Sequence, residues 1–271
     1  MELAVARAGG QLMSRRPGFP ARLDAPASRG VAVRGNAPQA ARASGDRTLP
    51  PGGMGLDSQA VRTRMVEKLA AQGVSDARVL AAMGAVERHR FVDTALITQA
   101  YEDTSLPIGL GQTISKPNVV ARMIELLLGG RTDAQGRLGR VLEIGTGCGY
   151  QAAVLGRLAI EVYSIERLRG LHDKARENLR TFRLANVHLL FGDGMMGFAK
   201  GAPYAGIIAA AGGNAVPRAW IDQLAVGGRI VAPTVMQDGR QALVVLEKTP
   251  HEMKQTVLEP VHFVPLKSGI A

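Results

Sequence analysis

Short apolar runs alternate with helical stretches over the second half of the chain. The predicted strands cover 140–144, 161–165, 187–191, 205–210 and 228–233, and the predicted helices cover 151–158, 168–184 and 216–224. Regular alternation of strand and helix is typical of a parallel sheet with helices on both faces. Two further runs, 241–248 and 256–266, follow without a long helix between them. We therefore expect these two strands to add an antiparallel edge to the sheet.

Two earlier segments have apolar residues at helical spacing. These positions are Val61, Met65 and Leu69 in the first segment, and Val79, Leu80, Met83 and Val86 in the second. Asp57 is the expected N-cap of the first helix, which should run over 57–72 and end at Gly73. Ser75 is the expected N-cap of the second helix. The pattern predicts a small helical subdomain packed on the sheet.

Residues 1–55 differ in composition from the rest of the chain. They contain nine glycines, six prolines and a single aromatic residue, Phe19. Such a segment cannot bury enough apolar surface to offset its chain entropy. We predict a disordered Gly/Pro/Arg-rich extension over 1–55 and one folded domain over 56–271. An Arg-rich, acid-poor transit peptide is the alternative, although glycine and proline throughout the segment argue against it.

The charge balance and the residue types exclude several classes of protein. The chain has 33 Lys and Arg against 23 Asp and Glu, and this excess of positive charge would suit a nucleic-acid binder. An aromatic content of only 4% argues against a surface on which bases stack. No apolar run approaches the roughly 20 residues of a membrane helix. One cysteine and five scattered histidines predict neither a disulfide framework nor a metal site. We expect a cytoplasmic monomer without a nucleic-acid or membrane partner.

A glycine-rich turn, GTGCG at 145–149, follows the first predicted strand of the sheet. Glycines at such a turn let the backbone approach a ligand closely. The spacing G-x-G-x-G differs from the dinucleotide fingerprint G-x-G-x-x-G, and Glu143 near the strand end would repel a pyrophosphate. A cationic ligand suits this carboxylate better. S-adenosylmethionine carries a sulfonium and an amino group and has no phosphate.

Two more acids follow the next two predicted strands. Glu166, 21 residues after Gly145, is placed to accept both hydroxyls of a ribose, and Asp193 could meet an adenine amino group. Strand ends of an open α/β sheet converge on one crevice, so the three acids together indicate a binding site. Cys148 has no histidine or other base beside it in the sequence, and we interpret it as a small spacer.

The segment before the loop, 101–124, combines irregular backbone with polar side chains. A proline and two glycines between 107 and 111 exclude an ordinary helix or central strand. Three polar residues follow within four positions: Gln112, Thr113 and Ser115. Pro117 fits the first turn of a helix, with Ser115 or Lys116 at its N-cap. Ser115 is therefore a candidate for two compatible roles, a helix N-cap and a substrate contact, because a helix N-terminus also attracts carboxylates.

These motifs resemble the protein-L-isoaspartate O-methyltransferase family. The resemblance rests on LPIGLGQTISKP, VARM, VLEIGTGCGYQAA, SIER, GDG and HFVPL, in that order over about four-fifths of the chain. The glycine loop alone resembles methyltransferases in general, whereas LPIGxGQTIS selects this family. The implied fold is α/β: a class I S-adenosylmethionine-dependent (Rossmann-like) methyltransferase sheet with an antiparallel edge strand. Within 56–271, the region 56–130 would be helical and carry the substrate loop, and 131–271 would form the cofactor-binding sheet.

The resemblance also implies an activity. It is methyl transfer from S-adenosyl-L-methionine to the α-carboxyl of L-isoaspartyl residues in damaged proteins and peptides. The ester closes to a succinimide, which hydrolyses partly to normal aspartate. The family's active-site serine falls on Ser115. Its cofactor-binding positions fall on Gln112, Thr113, Glu143, Gly145, Gly147, Glu166, Asp193 and Gly194.

One departure from the family pattern follows the fourth strand. The family usually reads FDAIIVTAA, whereas this chain has YAGIIAAA at 204–211. Ala205 replaces the usual aspartate and Ala210 the usual threonine, so we expect rearranged substrate contacts or reduced activity. Two alternatives stay open: a methyltransferase acting on a small molecule or RNA, and a non-catalytic S-adenosylmethionine-binding or protein-interaction module. The two alanines motivate the second.

Overall fold

The computed structural model describes residues 59–271. The predictions for 1–55 and for an N-cap at Asp57 lie outside these residues. The described part begins with two helices, α1 (Gln59–Ala71) and α2 (Ala77–Ala85). Asp76 is the N-cap of α2, since its carboxylate accepts the backbone N–H groups of Arg78 and Val79. The predicted Ser75 cap is wrong, because the backbone N–H and the hydroxyl of Ser75 both donate to Glu125 instead.

A short hairpin and a third helix come next. Strands β1 (Leu106–Gly109) and β2 (Gln112–Ile114) pair antiparallel in a sheet of their own, which agrees with the exclusion of a central strand here. Their turn places Leu110 at φ 52°. Helix α3 (Pro117–Leu128) then begins at the predicted proline.

Seven further strands form the main sheet. They are β3 (Leu138–Ile144), β4 (Ala159–Glu166), β5 (Val187–Phe191), β6 (Tyr204–Ala209), β7 (Leu224–Val235), β8 (Gln241–Lys248) and β9 (Met253–Val261). The intervening helices are α4 (Tyr150–Leu155), α5 (Arg169–Arg180) and α6 (Arg218–Gln223). The strand order is β5-β4-β3-β6-β7-β8-β9, parallel from β5 to β7 and antiparallel at β8 and β9. The predicted α/β class with an antiparallel edge is confirmed.

The last strand ends earlier than the predicted 266, because the chain leaves the sheet after Val261. Gly212 donates its N–H to the carbonyl of Val264 (2.8 Å) and accepts the N–H of Leu266 (2.8 Å). The segment 262–266 is thereby held beside the chain that follows β6. It becomes a wall of the site described below.

The helical region shares one apolar core with the sheet. Met65 and Leu69 of α1 and Met83 of α2 belong to the same buried cluster as Leu138 and Val141 of β3. The strand order reverses between β3 and β6, and ligands of open α/β sheets bind at such a switch point. Within 59–271, no helix combines the length and the apolarity that crossing a bilayer requires.

Candidate active site

A cavity of about 500 Å³ opens at the carboxyl ends of β3 and β4, between the hairpin and the segment 264–267. Its volume lies in the range of small-molecule sites. Seven of the predicted site residues line it: Gln112, Thr113, Ser115, Gly145, Gly147, Glu166 and Gly194. Glu143 and Asp193 do not. Four segments far apart in the sequence therefore meet at one cavity.

The glycine loop forms the floor of this cavity. Gly145 and Gly147 have φ angles of 89° and 56°, a region that side chains disfavour. A Cβ on Gly147 would also lie 3.2 Å from Cδ1 of Ile108 in the hairpin. Cys148 is buried, and burial raises the pKa of its thiol to about 11. The thiol is therefore protonated at neutral pH, which agrees with the role of a spacer.

Glu166 lies at the end of β4 and supports the loop. Its Oε2 accepts the N–H of Gly147 (2.9 Å), and its Oε1 accepts the N–H of Leu168 (2.9 Å). A carboxylate oxygen can accept two hydrogen bonds. Glu166 therefore keeps acceptor capacity toward the cavity that it lines.

Glu143 lies behind the cavity wall, in a position that the sequence did not predict. It is fully buried, and its Oε2 accepts the hydroxyl of Ser164 (2.5 Å). Thr146, whose hydroxyl contacts that of Ser164 (2.6 Å), and Gln151 line the cavity in front of it. Burial raises the pKa of Glu143 to about 8, although hydrogen bonding by Ser164 opposes the shift. The side chain is therefore largely protonated at neutral pH.

Gln151 is a wall residue that sequence reasoning missed. Its side chain is buried and hydrogen-bonds the carboxyl of Glu143, which also opposes the rise in the pKa of that carboxyl. Gln151 therefore connects the cavity that it lines with the buried carboxyl behind the wall. The signal in the sequence was its place in the first turn of the helix after the glycine loop.

Replacing Glu143 with glutamine should stabilise the protein at alkaline pH. The raised pKa means that the folded state holds a proton that the unfolded chain releases above about pH 4.5. The contribution to stability is present below that pH and is lost as the pH rises through about 8. Glutamine keeps the acceptor for Ser164 without ionising. We expect a gain of about 2–4 kcal/mol in unfolding free energy at pH 8, at ~1.4 kcal/mol per pKa unit.

Urea unfolding at pH 5 and pH 8 measures this difference between wild type and Glu143→Gln. The gain should fall below about 1 kcal/mol at pH 5, where both side chains are neutral in the folded protein. Glu161→Gln is the matched control, because Glu161 lies on β4 in a surface ion pair with Arg140. A gain of equal size at both pH values would contradict a titrating buried carboxyl.

Asp193 lies beside the cavity with both oxygens engaged. Its Oδ1 accepts the N–H of Met195 (2.8 Å), and its Oδ2 accepts the N–H of Gly269 (2.7 Å). The carboxylate thus ties the turn after β5 to the C-terminal segment, while the next residue, Gly194, lines the cavity. The contact with Gly269 is not visible in the sequence, because 76 residues separate the two.

A second cavity, of about 590 Å³, adjoins the first. Four residues line both: Thr113, Ser115, Ala210 and Val264. The other walls of the second cavity include the first turns of α3 and the segment 259–264, with Lys116, Asn118, Arg122, Glu259 and His262 as polar residues. Ser115 therefore lies where the two cavities meet.

Ser115 is not the cap of α3. Lys116 occupies the N-cap position and makes no side-chain capping bond, while Asp103 accepts the N–H of Asn118 (2.9 Å). Among residues 59–271, the hydroxyl of Ser115 has no hydrogen-bond partner, whereas its carbonyl accepts from Arg88 (2.8 Å). The hydroxyl at the junction is thus free to bind a ligand.

The two alanine departures lie far from each other. Ala210 lines both cavities, but Ala205 is the second residue of β6, at the amino end of the strand. There its Cβ lies against Gly139, at the start of β3. The expectation of a change near the site is wrong for Ala205, because the site is at the carboxyl ends of the strands.

Among residues 59–271, no group of three His, Cys, Asp or Glu could hold a metal ion.

The sheet order, the glycine loop and the acid at the end of β4 define a class I methyltransferase fold. A solved protein-L-isoaspartate O-methyltransferase is similar at 27% identity and a TM-score of 0.69, covering 77% of this chain and 67% of that chain. A solved beta-aspartate methyltransferase (PCMT) from Plasmodium falciparum, in complex with S-adenosyl-L-homocysteine, has the same fold. It is similar at 23% identity and a TM-score of 0.63, covering 76% of this chain and 98% of that chain.

Sequence comparison is more specific. The family described as Protein-L-isoaspartate(D-aspartate) O-methyltransferase (PCMT) matches residues 60–271. A protein-L-isoaspartate O-methyltransferase from Methylibium petroleiphilum is 58% identical over 262 residues, 93% of this chain and 96% of the relative. A protein-L-isoaspartate O-methyltransferase from Burkholderia mallei is 54% identical over 256 residues, which cover 92% of this chain and 77% of the relative. The chain belongs to the protein-L-isoaspartate(D-aspartate) O-methyltransferase family.

Proposed function

We propose that this protein is a repair enzyme that transfers a methyl group from S-adenosyl-L-methionine to the α-carboxyl of L-isoaspartyl residues in damaged proteins and peptides. The observation that carries the proposal is the position of Ser115 on both cavities. One cavity has the glycine loop of a cofactor site, and the other is open to a second ligand. Family membership gives the class of substrate.

The residues of the first cavity fit the cofactor. Gly145 and Gly147 let the backbone approach a ligand closely, and Glu166 keeps acceptor capacity suited to ribose hydroxyls. We propose that the cofactor is held by Gln112, Thr113, Gly145, Gly147, Glu166 and Gly194. Glu143 and Asp193 would act through the segments that they fix. When bound, the cofactor supplies an electrophilic sulfonium methyl.

The chain needs no general base for this reaction. An isoaspartyl α-carboxyl is already ionised at neutral pH and is itself the nucleophile. The hydroxyl of Ser115 donates a hydrogen bond to one carboxylate oxygen and aims the other at the methyl. Ala210 and Val264, at the same junction, exclude water from the reacting atoms. Catalysis is then mostly a matter of positioning.

A peptide pair that differs only in Asp versus isoAsp tests the proposed substrate. We expect base-labile incorporation of label from radiolabelled S-adenosylmethionine into the isoAsp peptide alone. Label in both peptides, or in added RNA instead, would indicate another methyltransferase. Cofactor binding without any label would indicate the non-catalytic module.

We also propose that the enzyme is a cytoplasmic monomer.

We propose that the methyltransferase domain comprises residues 56–271. Deleting residues 1–53 should then change the melting temperature by less than about 2 °C, which corresponds to under ~1 kcal/mol for a domain of this size. Methyl transfer to the isoAsp peptide should stay within about twofold. The reason is the Gly/Pro-rich composition of 1–55, which offers little apolar surface to bury. A fall of several degrees would contradict this boundary.

A further inference from the structure

Arg88 is a buried cation behind the site, and the proposed mechanism does not use it. It lies in a short 3₁₀ helix, Arg88–Phe91, and is fully buried. Among residues 59–271, Arg88 is the one Lys or Arg that is buried, and it makes no ion pair with a carboxylate. A buried charge without a counterion is unfavourable. A role in packing alone would be served better by an apolar side chain.

The guanidinium contacts three segments at once. Its Nε donates to the carbonyl of Ala100 (2.8 Å), and its Nη2 donates to the carbonyl of Ser115 (2.8 Å). Its Cζ lies 4.7 Å from the ring centroid of Tyr150, the first residue of α4 after the glycine loop. Tyr150 and Ser115 both line the first cavity. Arg88 therefore contacts both Ser115, where the two cavities meet, and Tyr150, at the start of the helix after the glycine loop.

The contacts depend on the shape of the arginine side chain. A planar guanidinium donates in two directions and stacks on an aromatic face, whereas a lysine ammonium is a compact point charge. Burial lowers the pKa of the guanidinium, yet arginine stays protonated in proteins. All of its donors are thus available at any working pH.

We propose that Arg88 is a positioning residue for methyl transfer, which sets the Ser115 hydroxyl relative to the cofactor loop by holding the Ser115 carbonyl and the Tyr150 ring together. The inference rests on the proposed function. Arg88 touches neither ligand and acts through the residues that do. Its loss should therefore lower the rate of transfer more than it weakens cofactor binding.

Single-turnover methylation of an isoAsp peptide tests this role in Arg88→Lys and Arg88→Met. Rates are measured at saturating cofactor and divided by the number of S-adenosylmethionine sites titrated by calorimetry. We expect at least about a tenfold loss of rate, with cofactor affinity within about threefold. Arg90→Met is the matched control, because Arg90 lies in the same short helix, is exposed and pairs with Glu87. It should stay within about twofold of wild type.

A second background separates positioning from structural support. If Arg88 acts through Ser115, Arg88→Lys should cost less than about twofold further in a Ser115→Ala protein. An equal fold loss in both backgrounds, an unchanged rate, or variants that no longer bind cofactor would each overturn the inference. A wild-type protein that methylates neither the Asp nor the isoAsp peptide would instead contradict the proposed function, and the inference with it.

Discussion

Replacing Glu166 with alanine is expected to weaken S-adenosylmethionine binding by about 10- to 150-fold and to leave the saturated rate nearly unchanged. Hydrogen bonds to a charged group contribute about 1.5–3 kcal/mol, which gives this range of affinity. The carboxylate is proposed to hold ribose hydroxyls remote from the transferred methyl. Ground state and transition state share that binding, so its loss raises Kd rather than lowering kcat.

The structure adds a reason to expect the upper part of that range. Glu166 also accepts the N–H groups of Gly147 and Leu168, and alanine would leave both without this acceptor. The glycine loop would then lose part of its support before any ligand binds.

Calorimetric titration with S-adenosylmethionine measures the effect, and Glu161→Ala is the control. Glu161 lies on the same strand, pairs with Arg140 and does not line the cavity. It should leave the affinity within about twofold. An unchanged affinity in Glu166→Ala would remove this carboxylate from the cofactor site. Equal losses of affinity and saturated rate would contradict its distance from the reacting methyl.

The main sheet could be predicted from periodicity because parallel strands are buried on both faces. Such strands are continuous apolar runs, as in β6, where five of six residues are buried and the bounds lie one residue from the predicted 205–210. The edge strand β5 and the antiparallel strand β8 also have their predicted bounds, 187–191 and 241–248. The positions of the glycine loop and Glu166 at the cavity could also be predicted, since both lie next to strand ends. For these features, local sequence carries the structural information.

The parts that could not be predicted depend on contacts between distant segments. Asp103 caps α3 from 15 residues upstream, so the choice between a cap and a ligand contact at Ser115 was open in the sequence. Likewise, Gly269 engages Asp193, and the segment 262–266 returns to line the site. No spacing rule connects such residues.

Glu143 is a different case, because the observed position of its neighbour Ile144 is enough to assign its face. Side chains alternate between the faces of a strand, so adjacent residues cannot both point the same way. Ile144 lines the cavity, and Glu143 is buried behind its wall. The acidic residue type favoured a ligand contact, whereas strand parity indicated the opposite face.

Replacing Ser115 with alanine should have the opposite kinetic effect to Glu166→Ala. Cofactor affinity should stay within a few fold, while single-turnover transfer to an isoAsp peptide falls by about tenfold or more. The hydroxyl is proposed to hold the nucleophilic carboxylate in line, and lost alignment costs rate more than binding. Ser268→Ala is a matched control, since Ser268 is exposed and lines neither cavity. It should stay within about twofold.

Stability distinguishes this role from a structural one. Loss of a helix cap costs about 1 kcal/mol, but Asp103 already accepts the N–H of Asn118 at the start of α3. Ser115→Ala should therefore change the unfolding free energy by less than ~0.5 kcal/mol, as for a surface substitution. Melting temperature and single-turnover rate are measured on the same sample. A normal rate with lowered stability would make Ser115 a structural residue and leave the junction of the two cavities without its proposed hydrogen-bond donor.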